Sequence, residues 1–465
     1  MKNNLNFSDF LQDVFSNFDK KVGDSGLVSI CIEIPRIDLY QVYDSFINKY
    51  SFSSFWEESN GISYIALEKC KYLTLDGPQK FKLAKEFNSE NFRNLINLTP
   101  QSNISSLTKI IYFFSFSENL KKKYSISDVP GLEAILPKIL IIKNNNNYWL
   151  RINAHIESKS SLRTVVEELW LIRNQILNSK KQIIKNNFDI PLIYDFFNSL
   201  EISNDNLKQL INKGIQLVEE GILEKIVLAI RIRVKLKEKL DLIKILKRLK
   251  NNQPNTCRYV WKRNSKDIIF GASPERLFYF NKPILILEAL AGTASSTLNS
   301  DSLLKSSKDL KEHNYVTEYL IKCLKVLNIN NYKKSDIKVN SFGDISHLQT
   351  FISSNVENIC PFELLEILHP SPAVCGSPKN TALEWINTLE SFPRENYASP
   401  MGWVDAFGNS QFRIAIRGAR YIEETIEFTA GSGIVKGSLI EKEIDEIKLK
   451  LESLVKQIFF VQNSI

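Results

Sequence analysis

The sequence predicts an α+β protein in which large antiparallel sheets carry helices on their outer side. Two observations lead to this fold class. Short runs rich in β-branched and aromatic residues follow one another closely, joined by tight turn signals such as Phe407-Gly408-Asn409. That spacing suits antiparallel neighbours and leaves no room for the helical crossovers that parallel strands need. The segments with a 3.6-residue apolar period then have a sheet to gather against.

The elements follow in order. Leu27–Ile34 and Ile62–Ala66 read as strands, and Lys138–Ile142 with Tyr148–Ile156 reads as a hairpin around the turn-forming Asn144–Asn147. Ser161–Ser179 reads as a helix with Val165, Leu169, Ile172 and Ile176 on one face. A junction near Asn187–Asn204 divides the chain into residues 1–204 and residues 205–465. No chemical motif is evident before that junction. Beyond it come helix Asn206–Glu220, strand Ile226–Val234, helix Leu240–Leu249, and strands near 257–263, 267–272 and 284–290. A helix at 307–327, strands at 335–341 and 348–356, and helices near 361–367 and 379–390 follow. Three strands between 398 and 430 and a long helix over 438–459 complete the chain.

Composition narrows the function classes. The chain has 465 residues, 43% hydrophobic and 24% charged, which allows a large core or two to three domains. The formal net charge of +8 is scattered, and the lysine-rich stretches Lys121–Lys123 and Lys235–Lys250 lack interleaved aromatics. They read as solvated faces, so no nucleic acid is expected, while a mildly positive field favours an anionic substrate. None of the six cysteines forms a CxxC pair, which points to reduced thiols and a cytoplasmic setting. MKNNLNFSDF lacks a signal-peptide pattern, and no apolar run reaches membrane-span length, so no membrane is expected.

Local signals for chemistry concentrate in the second part. Ten of the 17 glycines lie between Gly271 and Gly437, as do three of the four histidines, so an active-site region is expected there. Ser438 and Glu441 form an S-x-x-E capping box for the last helix, whose buried stripe is Ile440, Ile444, Ile447, Leu451, Leu454 and Ile458. Glu443, Glu446 and Lys450 fall on one side of it. Two carboxylates on one face suit a hard cation, although taken alone they read as a solvated face. Ala430-Gly431-Ser432-Gly433 before that helix reads as a turn or an anion-cradling loop. Arg417 reads as a mid-strand arginine that needs an anionic partner if buried. His347 reads as a core histidine, Lys225 as a strand-start lysine reaching solvent, and Glu275 as a turn carboxylate.

Taken in order, FGASPERLF, LEALAGTAS, KEHNYV, SHLQT, LHPSPAVCGSP, RENYASPMGWVD, FRIAIRGA, TAGSGIVKGS and ExEIDEIKLK resemble the chorismate-utilising enzymes over roughly residues 205–460. That family includes isochorismate, anthranilate, aminodeoxychorismate and salicylate synthases. The resemblance implies an aminodeoxychorismate synthase-like fold, chorismate as substrate and Mg²⁺ as cofactor. Its metal ligands would be Glu312 of the E-H motif and Glu446, with Glu443 close by through water. Lys450, Arg417, Gly431 and Gly433 fall where the family binds substrate carboxylates. Gly292 and Thr293 lie beside the reacting ring, as do Ala373 and Val374, and His347 and Tyr397 fall among the substrate contacts.

The match at Lys225 and Glu275 implies isochorismate synthases in particular. Lys225 would deprotonate the water that attacks ring C2, and Glu275 would protonate the hydroxyl leaving C4. For these roles the lysine pKa must fall and the glutamate pKa must rise. The resemblance implies no glutaminase subunit, a monomer or homodimer, and a place in menaquinone or phylloquinone synthesis. Salicylate synthase, an amine-adding relative and a non-catalytic chorismate-binding protein are the alternatives. Departures from the family pattern are Ile230 for arginine, with Arg231 next along, Ser399 for glycine, Leu439-Ile440 for Asp-Pro, and Ile447 for threonine.

Overall fold

The computed structural model describes residues 6–21, 25–99, 106–117, 129–178, 204–236, 240–296 and 301–459. Among them, twenty strands join in one hydrogen-bonded network. Strand Leu132–Asn144 is its hub. One edge pairs with Ile62–Leu75; the other pairs first with Lys109–Phe114 and then with Asn147–Ile156.

Two arms leave this hub. One runs through Ser53–Glu57, Cys257–Asn264, Asp267–Ser273, Gly418–Ile422 and Thr425–Val435 to Lys225–Lys235. The other runs through Pro400–Asp405, Ser410–Ile414, Arg276–Asn281 and Ile284–Ser295 to Ile345–Asn355. All of these pairings are antiparallel; Gly26–Ile34 with Leu95–Asn97 is parallel. Both arms therefore cross from the first 204 residues into the rest by direct strand pairing, at Ser53↔Lys262 and at Met401↔Phe113.

One apolar cluster joins the arms: Ile226, Leu228 and Ile434 of the first share it with Leu285, Leu287 and Ala289 of the second. Helices cover it. The last helix, Ile440–Ile458, packs on strand Thr425–Val435 and on helix Asn204–Glu219, burying Ile444, Ile447, Leu451, Leu454 and Ile458. Each such side chain contributes about 1.5–3 kcal/mol relative to exposure. The helix is thus held by its apolar stripe, which leaves the adjoining polar stripe free to carry glutamates. Helix Ser307–Val326 packs on strand Ile284–Ser295, and the Ser306 hydroxyl accepts from the Asp309 amide at its start.

Several expectations change. The capping box is absent: Leu439 is the N-cap, and the Ser438 hydroxyl accepts from the Val435 amide instead, closing the turn before the helix. Ile440 is only half-buried. The Ala430–Gly433 segment is no loop; it lies inside strand Thr425–Val435, in register with Ala229 and Val227. Arg417 is not mid-strand but sits between two strands at φ +53°, a conformation rare for residues other than glycine. Four strands rather than three occupy 400–435, because the chain breaks at Arg417. Lys121–Lys123, and Asn187–Asn204 up to residue 203, lie outside the described residues. No helix among the described residues is long and apolar enough to cross a membrane.

Candidate active site

The ends of the two arms, with two helices, enclose one cavity. Glu275, Gly292, Thr293, Glu312, His347, Ala373, Val374, Tyr397, Arg417, Gly431, Gly433, Glu446 and Lys450 all line it. Side chains alternate along a strand, so Lys225 shares the face of Val227, which also lines the cavity. Thirteen of the fifteen residues singled out from the sequence are therefore wall residues, and the other two, Lys225 and Glu443, stand directly behind the wall.

Lys225 is fully buried, and its Nζ lies 2.9 Å from Glu312 Oε1. The angle is not that of a hydrogen bond, so Nζ has no hydrogen-bond partner among the described residues. Gly433 makes the meeting possible. A Cβ there would stand 2.4 Å from Glu312 Oε1 and 3.1 Å from Lys225 Cε. The glycine serves as space inside a strand and not as a flexible loop.

The last helix repeats this pairing. Lys450 donates to Glu446 Oε1 at 2.6 Å and to the Gly431 carbonyl at 2.8 Å. Burial alone would raise the Glu446 pKa, but Lys450 and Lys308 bring it down to about 2. Glu443 is fully buried; it accepts from the Ser432 hydroxyl and lies 2.7 Å from Lys308 Nζ. Burial opposes the charge on Lys308, yet Glu446, Glu443 and Glu312 together hold it well above the ordinary lysine range. Each of the three glutamates thus has its own lysine: Glu312 with Lys225, Glu446 with Lys450, and Glu443 with Lys308.

These pairs bear on metal binding. Among the described residues no three His, Cys, Asp or Glu side chains are gathered as a metal site, since each carboxylate leans toward its lysine. The donor chemistry nonetheless fits a hard divalent cation. The groups are carboxylate oxygens from two helices, and all three act on the single Lys308 ammonium.

Glu275 follows strand Asp267–Ser273 and is buried. Burial and then the neighbouring Glu288 push its pKa up to about 8, against the pull of Lys225, Lys450 and Arg417. The carboxyl is therefore a protonated acid at neutral pH. Arg417 Nη2 lies 3.0 Å from His347 Nε2, and His347 Nδ1 lies 2.7 Å from the Gly292 carbonyl. Arginine can only donate and a carbonyl can only accept, so His347 is the Nδ1–H tautomer and aims the guanidinium. Burial, Arg417 and Lys450 lower its pKa to about 3, which keeps the ring neutral. Among the described residues no anionic group is hydrogen-bonded to Arg417, which lines the cavity.

Sequence reading missed Lys308 and a buried brace. Arg394 donates to Glu390, to the Val374 carbonyl at 2.6 Å and to the Val227 carbonyl at 2.7 Å, while Glu390 accepts from the Ala229 amide at 2.9 Å. This brace ties the Ala373-Val374 wall to the strand that starts at Lys225. A lysine on one helix whose acid stands on another, far along the chain, or an i,i+4 Arg–Glu pair, carries no local mark of burial. Of the departures, Ile230 packs against the core, and Arg231 turns to the opposite face to meet Glu395 at 3.1 Å. Ser399 donates to the Asn396 carbonyl at 2.7 Å, and Ile447 is fully buried.

Comparison with known proteins agrees with this architecture. A family model described as "Chorismate binding enzyme" matches residues 10–459. The isochorismate synthase MenF of Haemophilus influenzae is 28% identical over 69% of this chain and 74% of its own length. The vibriobactin-specific isochorismate synthase of Vibrio cholerae is 28% identical over 54% of this chain, and the match spans 66% of that protein. The anthranilate synthase component 1 of Saccharolobus solfataricus is 25% identical over 71% of this chain and 75% of its own length. In fold, the chain superposes on the Escherichia coli menaquinone-specific isochorismate synthase MenF with a TM-score of 0.74, at 19% identity, covering 97% of this chain and 99% of that one.

Proposed function

The chain belongs to the chorismate-binding enzyme family, and from that premise we propose that it is an isochorismate synthase, converting chorismate to isochorismate. The observation that carries this reading is the pairing of a buried amine with a raised-pKa carboxylic acid at a single cavity, Lys225 behind its wall and Glu275 on it. A displacement in which water enters on one side and hydroxide leaves on the other needs a base and an acid so placed.

In the proposed reaction, Lys225 takes a proton from the water that forms the new C2–O bond. The conjugated double bonds of the ring shift. The C4–O bond breaks, and Glu275 gives its proton to the departing oxygen, which leaves as water. Lys450 and Arg417 hold substrate carboxylate, with Arg417 aimed by His347. Ala373, Val374 and Gly292 bound the ring. Glu312 and Glu446, with Glu443 behind, would hold Mg²⁺, which when bound neutralises carboxylate charge at this end of the cavity.

The resemblance of Lys225 and Glu275 to isochorismate synthases, and the relatives so named, support this reading over the amine-adding one. No glutaminase partner is then required. A soluble monomer or homodimer in the cytoplasm, serving menaquinone or phylloquinone synthesis, is the accompanying proposal; a siderophore or salicylate route would use the same product. Product analysis after incubation with chorismate and Mg²⁺, with and without ammonia, tests the reading. Isochorismate in both arms supports it, whereas salicylate with pyruvate, or an aminated product, replaces it.

A further inference from the structure

The acid Glu275 sits on a short connection, Ser273-Pro274-Glu275-Arg276, that has to hold its shape while a proton leaves it. Strand Ser410–Ile414 fastens this connection along its length. The Ser273 hydroxyl donates to the Ile414 carbonyl at 2.6 Å, and the Ile414 amide donates to the Glu275 carbonyl at 3.1 Å. Arg413 Nη1 donates to the Pro274 carbonyl at 3.0 Å, and Arg276 and Arg413 are cross-strand partners.

Arg413 is itself held from elsewhere in the sequence. Glu58, just after strand Ser53–Glu57, has a side chain with no exposure to solvent. Its Oε1 accepts from Arg413 Nε at 2.8 Å and from Gln411 at 2.7 Å, and its Oε2 accepts from Arg413 Nη2 at 2.6 Å. Arg276 Nη2 lies 3.7 Å from the same Oε2. Arg413, across from the acid's connection, is thus fixed by one carboxylate that also attracts Arg276 at the connection's end. A bidentate carboxylate–guanidinium pair fixes the arginine's plane as well as its position, and burial makes that constraint stiff.

We propose that Glu58 is a positioning residue for the acid: through Arg413 and the Pro274 carbonyl it sets where the Glu275 carboxyl stands in the cavity. The first 204 residues then contribute to the reaction although no side chain among their described residues lines the cavity. This inference rests on the functional reading above. It predicts an effect on the chemical step and not on substrate capture, because the groups that would hold carboxylate, Lys450 and Arg417, have no bond to Glu58.

The test compares wild type, Glu58→Ala and Glu58→Gln in steady-state turnover of chorismate with Mg²⁺, each variant checked for folding by circular dichroism. Misplacing a reacting group by an ångström costs about 100-fold. Glu58→Ala is expected to lose about that much kcat with KM within about twofold of wild type. Glu58→Gln keeps one acceptor oxygen and is expected to recover to within about tenfold of wild type. Should the alanine variant fail to fold, with Arg413 left buried and unpaired, the glutamine variant decides alone by its lowered kcat at unchanged KM. A folded variant with wild-type kcat, or a loss confined to KM, overturns the proposal. A wild-type protein that does not turn over chorismate overturns the functional reading, and this inference falls with it.

Discussion

Lys225 and Glu312 meet as a buried pair 2.9 Å apart, and the space they meet in exists because residue 433 has no side chain. Gly433→Ala would place a methyl group 2.4 Å from Glu312 Oε1. Backbone on one side and helix on the other leave the carboxylate to move. Activity is expected to fall by about 100-fold or more, with the melting temperature changed by only a few degrees. A variant with near-normal kcat would show that Glu312 is not held in place by this contact.

Lys225→Ala removes the proposed base. General-base catalysis contributes about 10²–10⁴-fold, so kcat for isochorismate formation is expected to fall within that range. Chorismate binding, measured by titration calorimetry, should stay within a few-fold, since Arg417 and Lys450 are untouched. Loss of binding with kcat preserved at saturation would make Lys225 a substrate ligand instead.

The pH dependence follows from Glu275. An acid with a pKa of about 8 is protonated below that value and spent above it, so activity should fall on the alkaline side around pH 8. Stability moves in the same direction. A carboxyl whose folded pKa lies above its unfolded value of 4.5 binds more protons folded than unfolded between those two values, so its contribution to stability falls as pH rises from about 4.5 to about 8. Glu275→Gln should therefore be inactive yet more resistant to heat at pH 8 than wild type, with little gain at pH 4.5. An unchanged difference between the two pH values would mean that Glu275 is not buried as described.

Arg417→Lys keeps the charge and loses the planar fork that His347 orients. KM for chorismate should rise by about 10–100-fold, with a smaller change in kcat. His347 titrates only near pH 3 and should leave no mark on activity between pH 5 and pH 8. An inflection near pH 6.5 that disappears in His347→Asn would contradict the tautomer assigned to it.

Removal of divalent cations with a chelator should abolish turnover, and added Mg²⁺ should restore it. Glu446→Gln is expected to raise the Mg²⁺ concentration needed for half-maximal rate by about tenfold or more. Glu443→Gln should raise it less, because Glu443 stands behind the cavity wall. Full activity in the presence of chelator would remove the metal from the account.

Much of this was legible in the sequence because it depends on local periodicity and on motif order. The apolar stripe of the last helix, Ile440 apart, and the strand that begins at Lys225 occupy their expected places, and thirteen of the residues named from motif order line one cavity. What escaped was set by distant partners. A capping box and a bond from Ser438 to the Val435 amide use the same hydroxyl, and only the approach angle of the chain decides between them. Gly431 and Gly433 look like a loop in one dimension; the strand partner at Ala229 and Val227 makes them part of a sheet. Glu58 carries no motif at all, and its contact with Arg413 spans 355 positions.

The central claim is that Lys225 and Glu275 add water at one ring position and release it from another. Incubating the purified protein with chorismate and Mg²⁺ in H₂¹⁸O, and locating the label in the product by mass spectrometry, tests it most directly. Isochorismate with one ¹⁸O in its ring hydroxyl, formed about 10²–10⁴-fold more slowly by the Lys225→Ala variant, is the result predicted here. Unlabelled isochorismate, salicylate with pyruvate, or an ammonia-dependent amine as the main product would contradict it.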